Sequence, residues 1–222
     1  MPTKADLEAT ITELEHKIRR LDRSLNQTRI DLAELPTAAY NRFETPHLND
    51  NVREALTRAT AEWEADVKDP SERINLYIKS SHGIGWSWEA DYVKNGQFAW
   101  CGAFAAWCHT RVKFDIRKKI FPSCYRMYQA WGQTSRKIDP MKVQPGDIVV
   151  VYAAKRSIQG DHITVCVDNS EFSSGGFITT IEGNAHGTFP DGSYGEGVIK
   201  RERKLTEFAH VYRLVADDFD EQ

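Results

Sequence analysis

Residues 99–108 read Ala-Trp-Cys-Gly-Ala-Phe-Ala-Ala-Trp-Cys, and this apolar run of mostly small residues predicts a helix from Cys101 to about Arg111 or Val112. The free N–H groups and the positive end of a helix dipole stabilise a thiolate in the first turn and lower its pKa. Cys101 is therefore a candidate nucleophile. A buried structural cysteine is the alternative, and it is the commoner fate of an isolated cysteine.

The residues around this helix show two different apolar periods. Helical spacing predicts further helices over 52–67, 72–79 and 123–131. After Pro145, five short β-rich runs are separated by clusters of Gly with Asp or Asn, as hairpin connections require. Helices followed by consecutive strands predict an α+β domain with an antiparallel sheet. The five runs lie at 147–153, 162–167, 177–181, 197–203 and 209–215.

A heptad pattern occupies residues 1–35 and predicts a coiled coil. Ile or Leu at the a positions with Leu at d favours a parallel dimer through residues 4–35, and a long helix folded back on its own domain is the alternative. Pro36 ends the helix, and 36–50 is expected to be a linker. The a positions are Ile11, Ile18, Leu25 and Leu32, and the d positions are Leu7, Leu14, Leu21, Thr28 and Leu35. We expect a folded domain at 51–216 and an acidic tail at 217–222.

Composition excludes several classes of partner. The chain has 222 residues, a net charge of −3 and no long basic block, so nucleic-acid binding is not expected. No stretch approaches the ~20 apolar residues of a membrane span, and the charged first thirty residues contain no secretory signal. The four cysteines form no C-x-x-C pair, which argues against zinc. We expect them to be reduced, with Cys108, Cys124 and Cys166 in the core.

A histidine, a carboxylate and an amide follow the cysteine in an order that suits nucleophilic catalysis. A thiol needs a base within hydrogen-bond reach, and the base needs an orienting partner. His162 opens the second predicted strand, and Glu182 and Asn184 are expected at the end of the third. If these strands are neighbours, either group could orient the imidazole, and spacing does not decide which. A hydrogen-bonded surface histidine and a plain Glu-Gly-Asn turn are the alternatives.

Four short motifs resemble the landmarks of the CHAP amidase/peptidase family, a member of the papain-like superfamily that also holds the NlpC-like peptidases. The resemblance spans roughly residues 75–215 and implies a papain-like cysteine peptidase fold. It assigns Cys101 as nucleophile, His162 as base, and Glu182 with Asn184 as orienting groups. The motifs are Trp100-Cys101-Gly102-Ala103-Phe104, Pro145-Gly146-Asp147, Asp161-His162-Ile163 and Glu182-Gly183-Asn184.

The resemblance also implies a substrate, because the family mostly cuts amide bonds in bacterial peptidoglycan. The protein would be an endopeptidase or an N-acetylmuramoyl-L-alanine amidase. Without a secretory signal, it would be made in the cytoplasm and reach the wall after release or export, or as part of a phage-like particle. The alternatives are the same fold acting on another amide, and an inert structural or adaptor protein built on the coiled coil.

The region just before Cys101 supplies the remaining candidates. Gln97 could donate a hydrogen bond to the oxyanion. Trp86, Trp88, Tyr92 and Trp100 could wall the substrate groove, although large aromatic residues are more often partly core. Some family members bind calcium here, but this chain offers only Glu89, Asp91 and Asn95, so we expect no metal and no cofactor.

Overall fold

A computed structural model describes residues 49–82, 99–153 and 158–220, without the side chains of residues 174 and 175. The chain divides into two units at residue 39, and every described residue belongs to the second unit. The predicted coiled coil, and the predicted linker as far as residue 48, therefore lie outside the described residues. None of the described helices is both long enough and apolar enough to cross a membrane.

The helices come first along the described part of the chain. Asn49 caps the first one, where its side-chain oxygen accepts a hydrogen bond of 2.9 Å from the Val52 N–H. Ser123 caps the fifth in the same way through the Arg126 N–H. The helices are α1 (Asp50–Glu64), α2 (Ile74–His82), α3 (Cys101–Cys108), α4 (Phe114–Lys119), α5 (Cys124–Trp131) and the single turn α6 (Phe172–Gly175).

Six strands form one antiparallel sheet, with α6 inserted between the third and fourth strands. The spatial order is β1-β6-β2-β3-β4-β5. Helices followed by an antiparallel sheet confirm the predicted α+β class. The strands are β1 (Lys137–Ile138), β2 (Ile148–Val151), β3 (His162–Asp168), β4 (Phe177–Thr188), β5 (Tyr194–Lys204) and β6 (Phe208–Tyr212).

The α3 helix packs on one face of the sheet, and all eight of its residues are buried. Its neighbours in the core include Ile163 and Val165 of β3, together with Tyr77 of α2. Close approach requires a glycine at the second position of α3, because a Cβ on Gly102 would lie 2.0 Å from the Phe121 carbonyl oxygen. The sheet and its packing thus hold the start of α3, where Cys101 lies, against β3.

Some element boundaries differ from the sequence prediction. The α3 helix ends at Cys108 instead of near residue 112, since Val112 forms an isolated antiparallel bridge with Phe219. The short α4 and β1 were not predicted. Residues 217–219 of the predicted acidic tail belong to the fold, because Asp218 is fully buried and its carboxylate pairs with Arg136 at 2.6 Å.

Candidate active site

Cys101 is the first residue of α3, and its side chain is buried, with only 6% of the residue exposed. The backbone N–H groups of Gly102 and Ile163 donate to its sulfur, and its side chain hydrogen-bonds to His162. Burial raises the pKa of the thiol, but the His162 imidazolium and the two N–H donors outweigh it. The pKa of Cys101 therefore lies below its ordinary value of 9.0.

His162 is the first residue of β3, and it stands between Cys101 and Glu182. Its Nε2 atom lies 3.1 Å from Glu182 Oε2. Since Nε2 faces the carboxylate, Nδ1 is the nitrogen left for the Cys101 sulfur. Burial lowers the pKa of the imidazole, but the thiolate and the carboxylate raise it overall above the ordinary value of 6.5. Both shifts favour a thiolate–imidazolium pair.

Glu182 lies within β4 and is fully buried. Arg203 of β5 donates to both of its carboxylate oxygens, at 2.7 and 2.8 Å. The Thr180 hydroxyl adds a third hydrogen bond of 2.7 Å. Burial raises the pKa of this carboxyl, but Arg203 and His162 outweigh it and hold the pKa well below the ordinary value of 4.5. The carboxylate is therefore ionised beside the imidazole.

A β-bulge interrupts β4 between Glu182 and Ala185, and it places Asn184 differently from Glu182. Asn184 has a left-handed φ of 57°. Its Oδ1 accepts a hydrogen bond of 2.9 Å from the Trp100 N–H, and its Nδ2 donates to Glu196. Among the described residues, Glu182 rather than Asn184 is thus the partner of His162, while Asn184 holds the residue that precedes the nucleophile.

The prediction that Glu182 and Asn184 end the third β-run is wrong, because that run continues as β4 to Thr188. The Glu-Gly-Asn sequence reads locally as a turn, since Gly and Asn both favour turns. Pairing with β5 on both sides of the bulge keeps the chain in the sheet instead.

A cleft of about 290 Å³ opens beside Cys101. Residues at the start of α5 form one wall, and the segment leading into β3 forms another. Cys124 lines this cleft and is only partly buried where it packs against the main core cluster, so the expectation of a core cysteine is met only in part; α5 begins there, at the edge of the cleft. The lining residues are Ala99, Cys101, Pro122, Ser123, Cys124, Tyr125, Gln159, Gly160, Asp161 and Ile163.

The aromatic residues predicted to wall the substrate groove fall into two groups, those outside the described residues and Trp100. Trp86, Trp88 and Tyr92, and also Gln97, lie outside the described residues. Trp100 does not wall the groove, because it is 1% exposed and stacks against Tyr77 with the ring centroids 5.8 Å apart. Its indole N–H donates to Asp69 at 3.1 Å. The core interpretation therefore applies to Trp100.

Three residues near this site were not singled out from the sequence. Tyr125, which lines the cleft, is 52% exposed. Thr180 and Arg203 both contact the Glu182 carboxylate. Only the Lys-Arg-Glu-Arg run at 200–203, which is unusually charged for a strand, could have drawn attention to Arg203.

In comparisons with known proteins, no protein-family model, no curated protein and no solved structure matches the chain. Within the described ranges, no three His, Cys, Asp or Glu side chains are grouped so that they could hold a metal ion. The chemistry that the described site offers is that of a buried thiol activated by an imidazole, which is in turn oriented by an ionised carboxylate.

Proposed function

We propose that this protein is a papain-like cysteine amidase or peptidase that hydrolyses amide bonds of bacterial peptidoglycan. The observation that carries the proposal is the continuous chain of contacts from Cys101 through His162 to Glu182. Its members come from three separate elements, α3, β3 and β4. Nucleophile, base and orienting group are the parts that covalent amide hydrolysis requires.

The steps follow from the geometry of these groups. The Cys101 thiolate attacks the amide carbonyl carbon, and the Cys101 backbone N–H at the start of α3 is placed to stabilise the oxyanion. His162 gives its proton to the leaving amine as the C–N bond breaks, which leaves a thioester. The imidazole then takes a proton from water, the hydroxide attacks the thioester, and the carboxylic acid product leaves as the thiolate is restored.

Asn184 has a separate role in this proposal. Its side chain fixes the Trp100 N–H, and Trp100 is the residue directly before the nucleophile. Glu182 and Asn184 lie on either side of Gly183 in one bulge, so a single short segment positions both the base and the start of the nucleophile's helix. Asn184 therefore acts as a positioning residue rather than as the partner of His162.

Peptidoglycan is proposed as the substrate on the ordered resemblance of the four motifs to the CHAP family. Tyr125, which is 52% exposed, lines the same cleft as Cys101 and offers an aromatic surface to a substrate bound there. Both an endopeptidase and an N-acetylmuramoyl-L-alanine amidase fit this arrangement. Residues 4–35 would join two chains, as suits a lysin or a wall enzyme carried on a phage-like particle, or an antibacterial effector.

Mass spectrometry of digested peptidoglycan tests the function directly. Purified walls of several chemotypes are incubated with the protein, with Cys101→Ala and with Cys166→Ala. Cys166 is buried in the apolar cluster that does not include Cys101, so its variant controls for the loss of a cysteine elsewhere. We expect new fragments from the wild type and from Cys166→Ala, and none from Cys101→Ala. The fragment masses identify the bond that is cut.

Two other results would change the proposal. The absence of fragments from every wall type, with Cys101 still strongly nucleophilic, would point to another amide substrate. The absence of both hydrolysis and thiol reactivity would favour the structural or adaptor role.

A further inference from the structure

We propose that Arg203 is a positioning residue of this site, which holds the Glu182 carboxylate ionised and aimed at His162. The inference rests on the proposed function, because it concerns how the same cysteine becomes a nucleophile. Arg203 lies on β5, the edge strand next to β4, 21 residues from Glu182 in sequence.

The contact between the two side chains is bidentate. Arg203 Nε donates to Glu182 Oε1 at 2.7 Å, and Nη2 donates to Oε2 at 2.8 Å. Arg203 is 7% exposed and Glu182 is fully buried, so the pair is shielded from water. A planar guanidinium fixes the plane of a carboxylate in a way that a single ammonium group does not. This geometry orients Oε2 toward the imidazole.

The same carboxylate has partners on three neighbouring strands of the sheet. His162 Nε2 approaches Oε2 at 3.1 Å from β3, and the Thr180 hydroxyl approaches Oε1 at 2.7 Å from β4 itself. From β5, Arg201 Nε lies 3.6 Å from Oε2 and has no hydrogen-bond partner of its own among the described residues. Arg203 is the only described cation that contacts both oxygens.

Charge alternates along the line of side chains that starts at the nucleophile. A thiolate at Cys101 is followed by the imidazolium of His162, the carboxylate of Glu182 and the guanidinium of Arg203. Glu207 ends the line, with its Oε1 accepting from Arg203 Nη1 at 2.9 Å. Glu207 thus pairs with Nη1 of the guanidinium, while Nε and Nη2 face Glu182.

Removing Arg203 changes the charge of its partner. Without Arg203, the buried Glu182 carboxylate keeps only Arg201, at 3.6 Å, and His162 as nearby cations, so desolvation favours its protonated form more strongly. A protonated Glu182 no longer attracts the imidazolium, so the thiolate–imidazolium pair loses stability and the pKa of Cys101 rises. A merely structural Arg203, which only ties β4 to β5, would change unfolding but not the pKa of a thiol on α3.

The experiment measures alkylation of Cys101 by iodoacetamide from pH 4 to pH 10 in the full-length protein, with the modified residue identified by peptide mass. Only thiolate reacts, so the rate reports the pKa of Cys101 without any assumption about the substrate. The variants are Arg203→Met, Arg203→Lys and Lys200→Met. Lys200 is an exposed cation on the same strand whose ammonium lies 4.7 Å from the Trp63 ring centroid.

We expect the wild-type rate to be half-maximal below pH 9.0, the ordinary value for a thiol. Arg203→Met should move this midpoint upward by about one pH unit or more, so that alkylation at acidic pH slows about tenfold. The midpoint of Arg203→Lys should lie between those of the wild type and Arg203→Met, because lysine keeps the positive charge but loses the second hydrogen bond to Glu182. Lys200→Met should match the wild type.

A double variant keeps the test decisive if Arg203→Met folds poorly. Glu182→Gln/Arg203→Met removes both charges of the pair, which is tolerated better than an unpaired buried charge. Its alkylation profile should equal that of Glu182→Gln alone, because Arg203 acts through Glu182.

An unchanged profile in a folded Arg203→Met, or a further shift in the double variant beyond Glu182→Gln, would overturn the role of Arg203. Either result would leave the proposed function intact. If wild-type Cys101 instead titrated like an ordinary thiol, the activated nucleophile and the proposed function would fail together.

Discussion

His109 and Glu182 show how differently burial acts on single residues of this domain. Both are at most 1% exposed. Glu182 has an arginine, a threonine and a histidine as partners, and it stays ionised. Neither ring nitrogen of His109 has a hydrogen-bond partner among the described residues, and burial lowers the pKa of this imidazole from 6.5 to about 4.

The His109 shift predicts a loss of stability in mild acid. The unfolded chain binds a proton at this histidine below about pH 6.5, while the folded chain does not until about pH 4. Stability from this group is therefore present above pH 6.5 and is lost as the pH falls toward 4, by on the order of 3 kcal/mol. His109→Leu should unfold less readily in acid, as urea denaturation between pH 7 and pH 4.5 would show.

Phe121 provides the matched control for His109, since the two ring centroids are 6.1 Å apart. Phe121→Leu removes packing volume at the same place without removing a titratable group. Phe121→Leu should lower the free energy of unfolding by similar amounts at pH 7 and at pH 4.5. Equal pH dependence in the wild type and in His109→Leu would show that His109 does not cause the acid sensitivity.

At the level of elements, the bulge in β4 is one of the contacts between the sheet and the start of α3. A Cβ on Gly183 would lie 2.5 Å from Phe104 Cβ and 2.6 Å from Trp100 Cζ3. Both of these side chains are 1% exposed and have no room to move aside. Gly183 is therefore required for the close packing of the bulge against the helix that carries Cys101.

Gly183→Ala should therefore affect both stability and activity. Overpacking costs about 1–3 kcal/mol, and a displacement of α3 relative to β3 separates Cys101 from His162. Since a shift of about 1 Å can cost up to about 100-fold in rate, we expect peptidoglycan hydrolysis to fall by at least about tenfold. Thermal unfolding and a turbidity assay on purified walls would measure the two effects.

Gly195 of β5 provides the control for this prediction. Among the residues that the structure describes, an added Cβ there meets only Phe189 Cε2, at 3.3 Å, and the backbone is not left-handed. Gly195→Ala should keep most of the activity. Full activity in a destabilised Gly183→Ala would mean that the bulge supports the fold without positioning the nucleophile.

At the level of the whole molecule, the heptads of residues 1–35 predict that two chains associate. Lysine at consecutive core positions buries charge in the seam of a coiled coil and should separate the chains. Light scattering on the full-length protein should give twice the chain mass of 25.4 kDa. Ile18→Lys/Leu21→Lys should give the mass of one chain.

The matched surface variant places lysine at b positions on the outer face of the predicted coiled coil, as in Thr12→Lys/Asn26→Lys, and it should remain a dimer. A wild-type mass of one chain would contradict the coiled coil and favour a helix folded back on its own domain. Peptidoglycan hydrolysis by Ile18→Lys/Leu21→Lys would show that the association of two chains is not needed for catalysis.

The sequence alone determined the α+β class and the order of the longer elements, and it drew attention to Cys101 and His162. Helix and strand patterns depend on residues within a few positions of one another, so each of the five predicted β-runs overlaps an observed strand. What failed were boundaries set by distant partners. Local sequence could not predict that pairing with β5 would extend β4 beyond the Glu-Gly-Asn segment.

Only the tertiary structure decided which side chains meet. The order of the strands places Glu182 of β4 between His162 of β3 and Arg203 of β5, and a bulge turns Asn184 toward Trp100 instead. Packing likewise put Trp100 in the core and Cys124 at the cleft. The physical reason is that these contacts join residues 20 to 84 positions apart, so they depend on strand pairing and helix docking rather than on neighbouring residues.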